Sequence, residues 1–320
     1  MDKQSPFIIW TFRRSGGTNL GQALFTNSQY DGVEHEPFNQ DRLFGYIVKK
    51  WREEHDIKYL YQEIEKILQT KPLIKHCLEL MPNELNLAIA ELSIKYGYKH
   101  LFLYREAPTS RLLSLNYAMK TNVWGKKHIK TRPFDEAVFD ELIPITQLLH
   151  HESECRSKMR QIYDFFKQRE LAILSVSFEM LYESDFNYAC MLVNRLFEEL
   201  IGHSDSVTTT FLAKTLKSGG QGTNAKYTQF PNSEQFIYEL KKLPLFRLYD
   251  ELEIDSSIDA KILVTYCKFF KALPSVAADE FILHGVVLCE SSFTIFDLIS
   301  GSNLNVKKIL DQKELLKCIP

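Results

Sequence analysis

A short apolar run enters a loop of small and basic residues and leaves it as a helix. This feature constrains the chain more than any other. Phe7-Ile8-Ile9-Trp10-Thr11 reads as a buried strand. Arg13-Arg14-Ser15-Gly16-Gly17-Thr18-Asn19 follows, and Leu20, Ala23 and Leu24 then recur at helical spacing. Backbone N–H groups at the start of such a helix lack intrahelical partners, and the helix dipole adds positive potential there. Gly16 and Gly17 let an anion approach the backbone closely. Arg13, Arg14, Ser15 and Thr18 add charge and donors. The loop suits a phosphate or sulfate group. It differs from a nucleotide-triphosphatase loop, which closes on Gly-Lys-[Ser/Thr]; here Gly17 is followed by Thr18-Asn19, with no lysine.

The rest of the composition sets limits. The 320 residues suffice for one large domain or two ordinary ones. A net charge of −2 gives no bulk reason to expect nucleic acid or an anionic membrane as partner, so an anion site must gather its cations locally. Met1-Asp2-Lys3-Gln4-Ser5-Pro6 has no apolar signal core, and no run reaches the roughly 18 apolar residues of a spanning helix. The six cysteines, Cys77, Cys155, Cys190, Cys267, Cys289 and Cys318, include no Cys-x-x-Cys pair, so neither a zinc site nor a disulfide framework is expected. The expectation is a cytoplasmic protein with reduced thiols, most of them buried as small hydrophobes.

Short apolar runs alternate with amphipathic stretches along the chain. Strands are predicted at 7–11, 73–76, 100–104 and 172–177, and helices at 60–68, 84–96 and 111–120. Residues 179–200 continue at near-helical spacing through Leu181, Met191, Leu192, Leu196 and Leu200. This alternation predicts an α/β fold, a parallel sheet flanked by helices, with ligands beyond the carboxyl ends of its strands. Residues 217–226 form a polar, Gly-rich loop. A helix capped by Asn232 or Ser233 follows. The pattern changes from about residue 251: 259–270 reads as helix, and 281–288 and 294–298 as strands. The predicted division is 1–250 and a C-terminal extension, 251–320, whose fold and role the sequence does not specify.

Two further constellations carry chemistry. Arg105 stands at the carboxyl end of the strand at 100–104, and Ser114 lies nine residues later within a helix. A guanidinium and a hydroxyl at one sheet edge can hold a second phosphate. Gly32-Val33-Glu34-His35-Glu36-Pro37-Phe38 places three ionisable side chains in a short segment after the first helix, a source for a general base.

In this order, these elements resemble the sulfotransferases that use 3′-phosphoadenosine 5′-phosphosulfate (PAPS). Arg14-Ser15-Gly16-Gly17-Thr18-Asn19-Leu20 is similar to their Arg/Lys-Ser-Gly-[Ser/Thr]-Thr-x-Leu loop for the 5′-phosphosulfate. Arg105 and Ser114, in Arg-(x)8-Ser-Leu-x-x-Ala, resemble their 3′-phosphate pair. Ala118-Met119-Lys120-Thr121-Asn122-Val123-Trp124-Gly125 is similar to the Ala-x-x-Thr-Gly-x-Trp stretch of bacterial carbohydrate sulfotransferases of the trehalose and nodulation-factor types. Gly32, Glu36 and Phe38 resemble their Gly-x-Pro-x-Glu-[Phe/Tyr]-Phe segment. Ser175-Val176-Ser177-Phe178-Glu179-Met180-Leu181 and Phe230-Pro231-Asn232 resemble later elements. The chain departs from the pattern at Gly17, where a hydroxyl residue is usual, at Pro37, where an aromatic is usual, and at Glu34, where proline is common.

The resemblance implies a P-loop-like sheet over roughly 7–240 and transfer of a sulfuryl group from PAPS, as co-substrate, to a hydroxyl of a carbohydrate, glycolipid or small-molecule acceptor. It implies that Arg13, Arg14, Ser15, Gly16, Gly17, Thr18 and Asn19 bind the 5′ end, and that Arg105 and Ser114 bind the 3′-phosphate. Lys217, with Lys214 and Lys226, would come from a covering loop. Arg14 would stabilise the leaving group, and no metal is required. Glu36 is the favoured base, with its pKa raised in a closed pocket. His76, which ends a Lys75-His76 pair similar to the Lys-x-His of the aryl and steroid enzymes, is the rival, and His35 a third candidate. Residues 39–54 and 117–133, with Trp51 and Trp124, are the expected acceptor region. A P-loop kinase or nucleotide hydrolase, and a PAPS-binding protein without turnover, are the alternatives.

Overall fold

The computed structural model describes residues 4–33, 36–124, 136–184, 186–202, 211, 215–216 and 226–248, and the backbone of Tyr266–Pro274 and Phe281–Leu288. The chain divides into two compact units, Met1–Tyr249 and Asp250–Pro320.

The first unit is an α/β fold around a parallel sheet of four strands, β1 (Phe7–Thr11), β2 (Ile74–Cys77), β3 (Lys99–Tyr104) and β4 (Ile173–Ser177), in the order β2-β1-β3-β4. Ile9 of β1 stands opposite Lys75 on one side and Leu101 on the other, and Tyr104 of β3 stands opposite Ser177 of β4. Every residue of β1 is buried, because a parallel sheet is covered on both faces and its strands read as continuous apolar runs.

Strand periodicity sorts these side chains between two cores. Ile8, Trp10, Ile74, Phe102 and Tyr104 face one core. It is closed by α2 (Gly45–Glu54), α3 (Ile57–Gln69), α4 (Asn83–Lys95) and α6 (Ile145–Lys167). Phe7, Ile9, Leu101 and Leu103 face the other. It is closed by α1 (Gly17–Thr26), α7 (Phe178–Tyr182) and α8 (Phe186–Ile201). The third helix shows the pattern plainly: Leu60, Ile64, Ile67 and Leu68 line its buried stripe, and the Asp56 carboxylate caps its N-terminus by accepting from the Lys58 and Tyr59 amides. Each such fully buried aliphatic side chain contributes about 1.5–3 kcal/mol. A third cluster joins α5 (Thr109–Thr121) to α9 (Ser233–Lys241) through Leu112, Tyr117, Phe230 and Phe236.

The predicted strands and helices of this unit are found within a few residues, with two differences. The helical run predicted over 179–200 is broken. The Glu183 and Ser184 amides both bond back to the Glu179 carbonyl and close the short helix α7 before α8 begins. Asn232 is the cap residue of α9 but makes no capping bond. Its amide instead brackets Ile143, accepting from the Ile143 N–H at 2.8 Å and donating to its carbonyl at 3.0 Å.

A further difference lies in the second unit. Part of the helix predicted over 259–270 is strand: β5 (Tyr266–Pro274) pairs antiparallel with β6 (Phe281–Leu288), with a register irregularity between Phe269 and Lys271. The run Tyr266-Cys267-Lys268-Phe269-Phe270 is aromatic-rich, and cross-strand pairing overrides its weak helical periodicity. The strand predicted over 281–288 is present, whereas 294–298 lies outside the described residues. Among the described residues, no helix is long and apolar enough to cross a membrane.

Candidate functional site

From β1 the chain passes to β2 on one side and onward to β3 on the other. The carboxyl ends of β1 and β3 therefore flank the point where the winding reverses, the usual ligand crevice of such sheets. The loops after these strands carry the predicted anion-binding residues.

The loop after β1 is tightly specified. Glu79, in the 3₁₀ turn Leu78–Leu80 that follows β2, accepts from the Arg13 amide at 2.9 Å and from Arg13 Nε at 3.0 Å. Arg14 takes a left-handed conformation (φ 66°), which costs a non-glycine residue on the order of 1 kcal/mol. Gly16, the cap residue of α1, is left-handed as well (φ 78°). A Cβ on Gly16 would stand 2.5 Å from the Tyr182 ring and 2.9 Å from the Phe178 ring, so only glycine fits there. The Tyr182 hydroxyl also donates to the Gly16 carbonyl at 2.9 Å. Between these fixed residues the Ser15 hydroxyl is fully buried and has no hydrogen-bond partner among the described residues. A buried donor in that state is costly, and native structures keep few of them. Thr18 is exposed and Asn19 half-buried in the first turn of α1.

Arg14, Arg105 and Ser114, distant in sequence, meet here. Arg14 Nε donates to Ser114 Oγ at 2.8 Å, and its Nη1 to the Trp124 carbonyl at 3.0 Å. Arg105 Nε donates to the Arg14 carbonyl at 3.1 Å, and its guanidinium lies over the Phe178 ring, 3.4 Å from the centroid. Burial lowers the Arg105 pKa to about 10, the nearby Glu179 opposing it, and the group remains a cation at neutral pH. The Ser114 hydroxyl donates to the Tyr227 hydroxyl at 3.1 Å. Glu179 fixes the turn after β3 by accepting from the amides of Glu106 at 3.1 Å and Ala107 at 3.4 Å. Arg13 is different: its charge is matched by Glu79, and its guanidinium sits 5.7 Å from the Trp124 ring centroid.

The carboxylate segment reaches the same loop through Lys75. This lysine is nearly buried in β2; its Nζ lies 2.9 Å from Glu36 Oε1, and a Cβ on Gly17 would stand 3.3 Å from its Cδ. Asn39 Nδ2 donates to Glu36 Oε2 at 3.0 Å. Burial pushes the Glu36 carboxyl up, but the Lys75 ammonium outweighs it, with the Asn39 amide helping, and the pKa falls to about 2. The expected rise is thus corrected: the pocket supplies a cation as well as an apolar wall.

His76 follows Lys75 and so faces the opposite side of the sheet. Its ring is buried edge-on against Trp10 and Phe38, with Nε2 2.7 Å from Asn86 Oδ1. Burial lowers its pKa to about 4. The structure therefore brings Glu36 to the anion loop and sets His76 in the core behind it. Trp51 is also core, while Trp124 is half-buried beside Arg13 and Arg14. Glu34, His35, Gly125, Lys214 and Lys217 lie outside the described residues.

Three participants were not singled out in the sequence as parts of the site: Lys75 beyond its place in the Lys-His pair, Glu79 and Tyr227. Lys75 had a signal, a lone cation at the centre of a strand predicted to be buried. Glu79 and Tyr227 had none, since their partners are far away in sequence. Compared with known proteins, the chain matches no family model and no curated sequence.

Proposed function

We propose that this chain is a PAPS-dependent sulfotransferase, transferring a sulfuryl group to a hydroxyl of a carbohydrate, glycolipid or other small-molecule acceptor, on a sheet that is P-loop-like in its use of the loop after β1. The observation that carries the reading is the buried, unpartnered Ser15 hydroxyl, held at the N-terminus of α1 by a left-handed Gly16 and flanked by Arg14 and Arg105. A bound phosphosulfate would satisfy that hydroxyl and take donors from the backbone at the start of the helix, where the Leu20 amide is already turned to the Tyr182 hydroxyl.

In this reading the acceptor oxygen attacks sulfur in line. The bond from sulfur to the bridging oxygen breaks, its electron pair stays on that oxygen, and adenosine 3′,5′-bisphosphate leaves. The acceptor proton passes to Glu36 and then to water. Glu36 is ionised at neutral pH because Lys75 holds it so, which makes it a weak base but a ready acceptor of the substrate hydroxyl's hydrogen bond. The growing charge on the leaving oxygen meets the loop amides, Arg14 and the ammonium of Lys75, whose stem runs beneath Gly17. Arg105 and Ser114 hold the 3′-phosphate.

The test is release of adenosine 3′,5′-bisphosphate from PAPS in the presence of a panel of carbohydrate and glycolipid acceptors. Acceptor-dependent release supports the reading. Tight binding of the bisphosphate without release for any acceptor would assign the chain to the binding proteins that lack turnover.

A further inference from the structure

Behind the anion loop, on the face of the sheet covered by α6, three side chains with metal-ligating atoms converge. Glu79 comes from the turn after β2, and His151 and Cys155 stand one helical turn apart on α6. A carboxylate oxygen of Glu79, an imidazole nitrogen of His151 and Cys155 Sγ all lie within 4.8 Å of one another. Cys155 Sγ is 3.4 Å from His151 Nε2. Ligand atoms about 2.0–2.3 Å from a tetrahedral zinc ion stand roughly 3.3–3.8 Å apart. The sulfur–nitrogen pair is thus already at coordination spacing, and a small inward movement of Glu79 completes the set.

The surroundings allow this. Arg13 makes its shorter bonds, from its amide and from Nε, to Oε1 of Glu79, and Oε2 receives only a longer bond of 3.2 Å from the same amide. A lone pair on Oε2 is therefore available, and Arg13 acts as the outer-shell donor that fixes the carboxylate. Arg111, the other nearby cation, pairs with the buried Glu152, which Arg156 also joins at 2.7 Å, and its guanidinium hydrogen-bonds Cys155 as well, so it stands as a second outer-shell donor, on the sulfur. Cys155 is fully buried, but His151 is only half-buried and opens the cluster to solvent.

We propose that Glu79, His151 and Cys155 form a zinc site with three protein ligands and an open fourth position. A thiolate with an imidazole selects zinc over magnesium or calcium, which need oxygen donors. Binding forms the zinc–sulfur bond and releases the thiol proton to solvent, so the ion meets one new negative charge, on the thiolate, and shares the Glu79 carboxylate with Arg13. The site stands independently of the sulfotransferase reading. It was not legible in the sequence because the third ligand lies on a different element from the His151–Cys155 pair.

The test uses the full chain, freed of metal by chelator dialysis, and titrates it with zinc against a chromophoric chelator and separately with cobalt(II). The expected result is one tight equivalent of zinc and a thiolate-to-cobalt charge-transfer band that is missing in Cys155→Ser. His151→Gln, at a half-buried position that tolerates the change, should weaken zinc binding by more than the roughly 10–100-fold that losing an outer-shell partner costs. Absence of tight zinc binding, or tight binding that His151→Gln leaves unchanged, would overturn the site.

Discussion

Lys75 Nζ lies 2.9 Å from Glu36 Oε1 while the same side chain runs beneath Gly17, so one buried lysine joins the carboxylate segment to the anion loop. The pair has a signature in acid. Glu36 titrates at about 2 in the folded chain against 4.5 ordinarily: burial raises it, and Lys75 more than compensates. A depressed carboxyl contributes stability that is complete above the unfolded value and lost as pH falls toward the folded one. Denaturant unfolding should therefore lose on the order of 2–3 kcal/mol from this group between about pH 5 and pH 2. Lys75→Met should be less stable at pH 7 and show a shallower acid slope. Equal slopes in the two proteins would contradict the pairing.

Glu36→Gln removes the proposed proton acceptor and keeps the hydrogen bond from Asn39 within reach. Turnover should fall by about 100-fold or more, with affinity for adenosine 3′,5′-bisphosphate unchanged. Steady-state kinetics and a bisphosphate titration check this together. Full activity in the variant would remove Glu36 from the chemistry.

Which of these features could be read from the sequence follows from how local their causes are. The loop from Arg13 to Thr18 was legible because its glycines, its flanking strand and its helix all lie in one short segment. Arg105 and Ser114 were legible because each sits at a recognisable place, a strand end and the helix after it. The role of Lys75 was not, because the resemblance to a Lys-x-His motif at the strand end drew attention to His76, and only the register of β2 against β1 shows which of the two faces α1. The depressed Glu36 pKa was hidden as well, since its cause is Lys75, a residue of a strand far along the chain. The strand at Tyr266–Pro274 was misread as partly helical because its pairing partner, not its own periodicity, decides its conformation.

Ser15→Ala separates ligand binding from folding. The buried hydroxyl has no partner among the described residues, so its removal should leave unliganded stability unchanged or raise it by up to about 1 kcal/mol. Bisphosphate affinity should drop about tenfold or more, the scale of a hydrogen bond to a charged group. Melting of the free and liganded proteins measures both effects. A clear loss of stability without ligand would show that Ser15 is satisfied inside the fold.

Glu152 holds two arginines, and Arg111 is buried with it. Glu152→Gln leaves the Arg111 guanidinium in the core without its counter-charge, which should cost about 3–5 kcal/mol in urea unfolding. The double variant Arg111→Met, Glu152→Leu should recover most of that loss, because the uncompensated charge is gone. A double variant as unstable as the single one would show that Arg111 matters through its other contacts, such as that with the Arg13 carbonyl.

Thermal unfolding with adenosine 3′,5′-bisphosphate, and separately with ATP and magnesium, tests the central claim most directly. A ligand at about 100 times its dissociation constant adds roughly 2.7 kcal/mol to stability. The account predicts a rise in melting temperature with the bisphosphate that is lost in Arg105→Ala. A rise with ATP and magnesium and none with the bisphosphate would contradict it and place the chain among the nucleotide kinases and hydrolases.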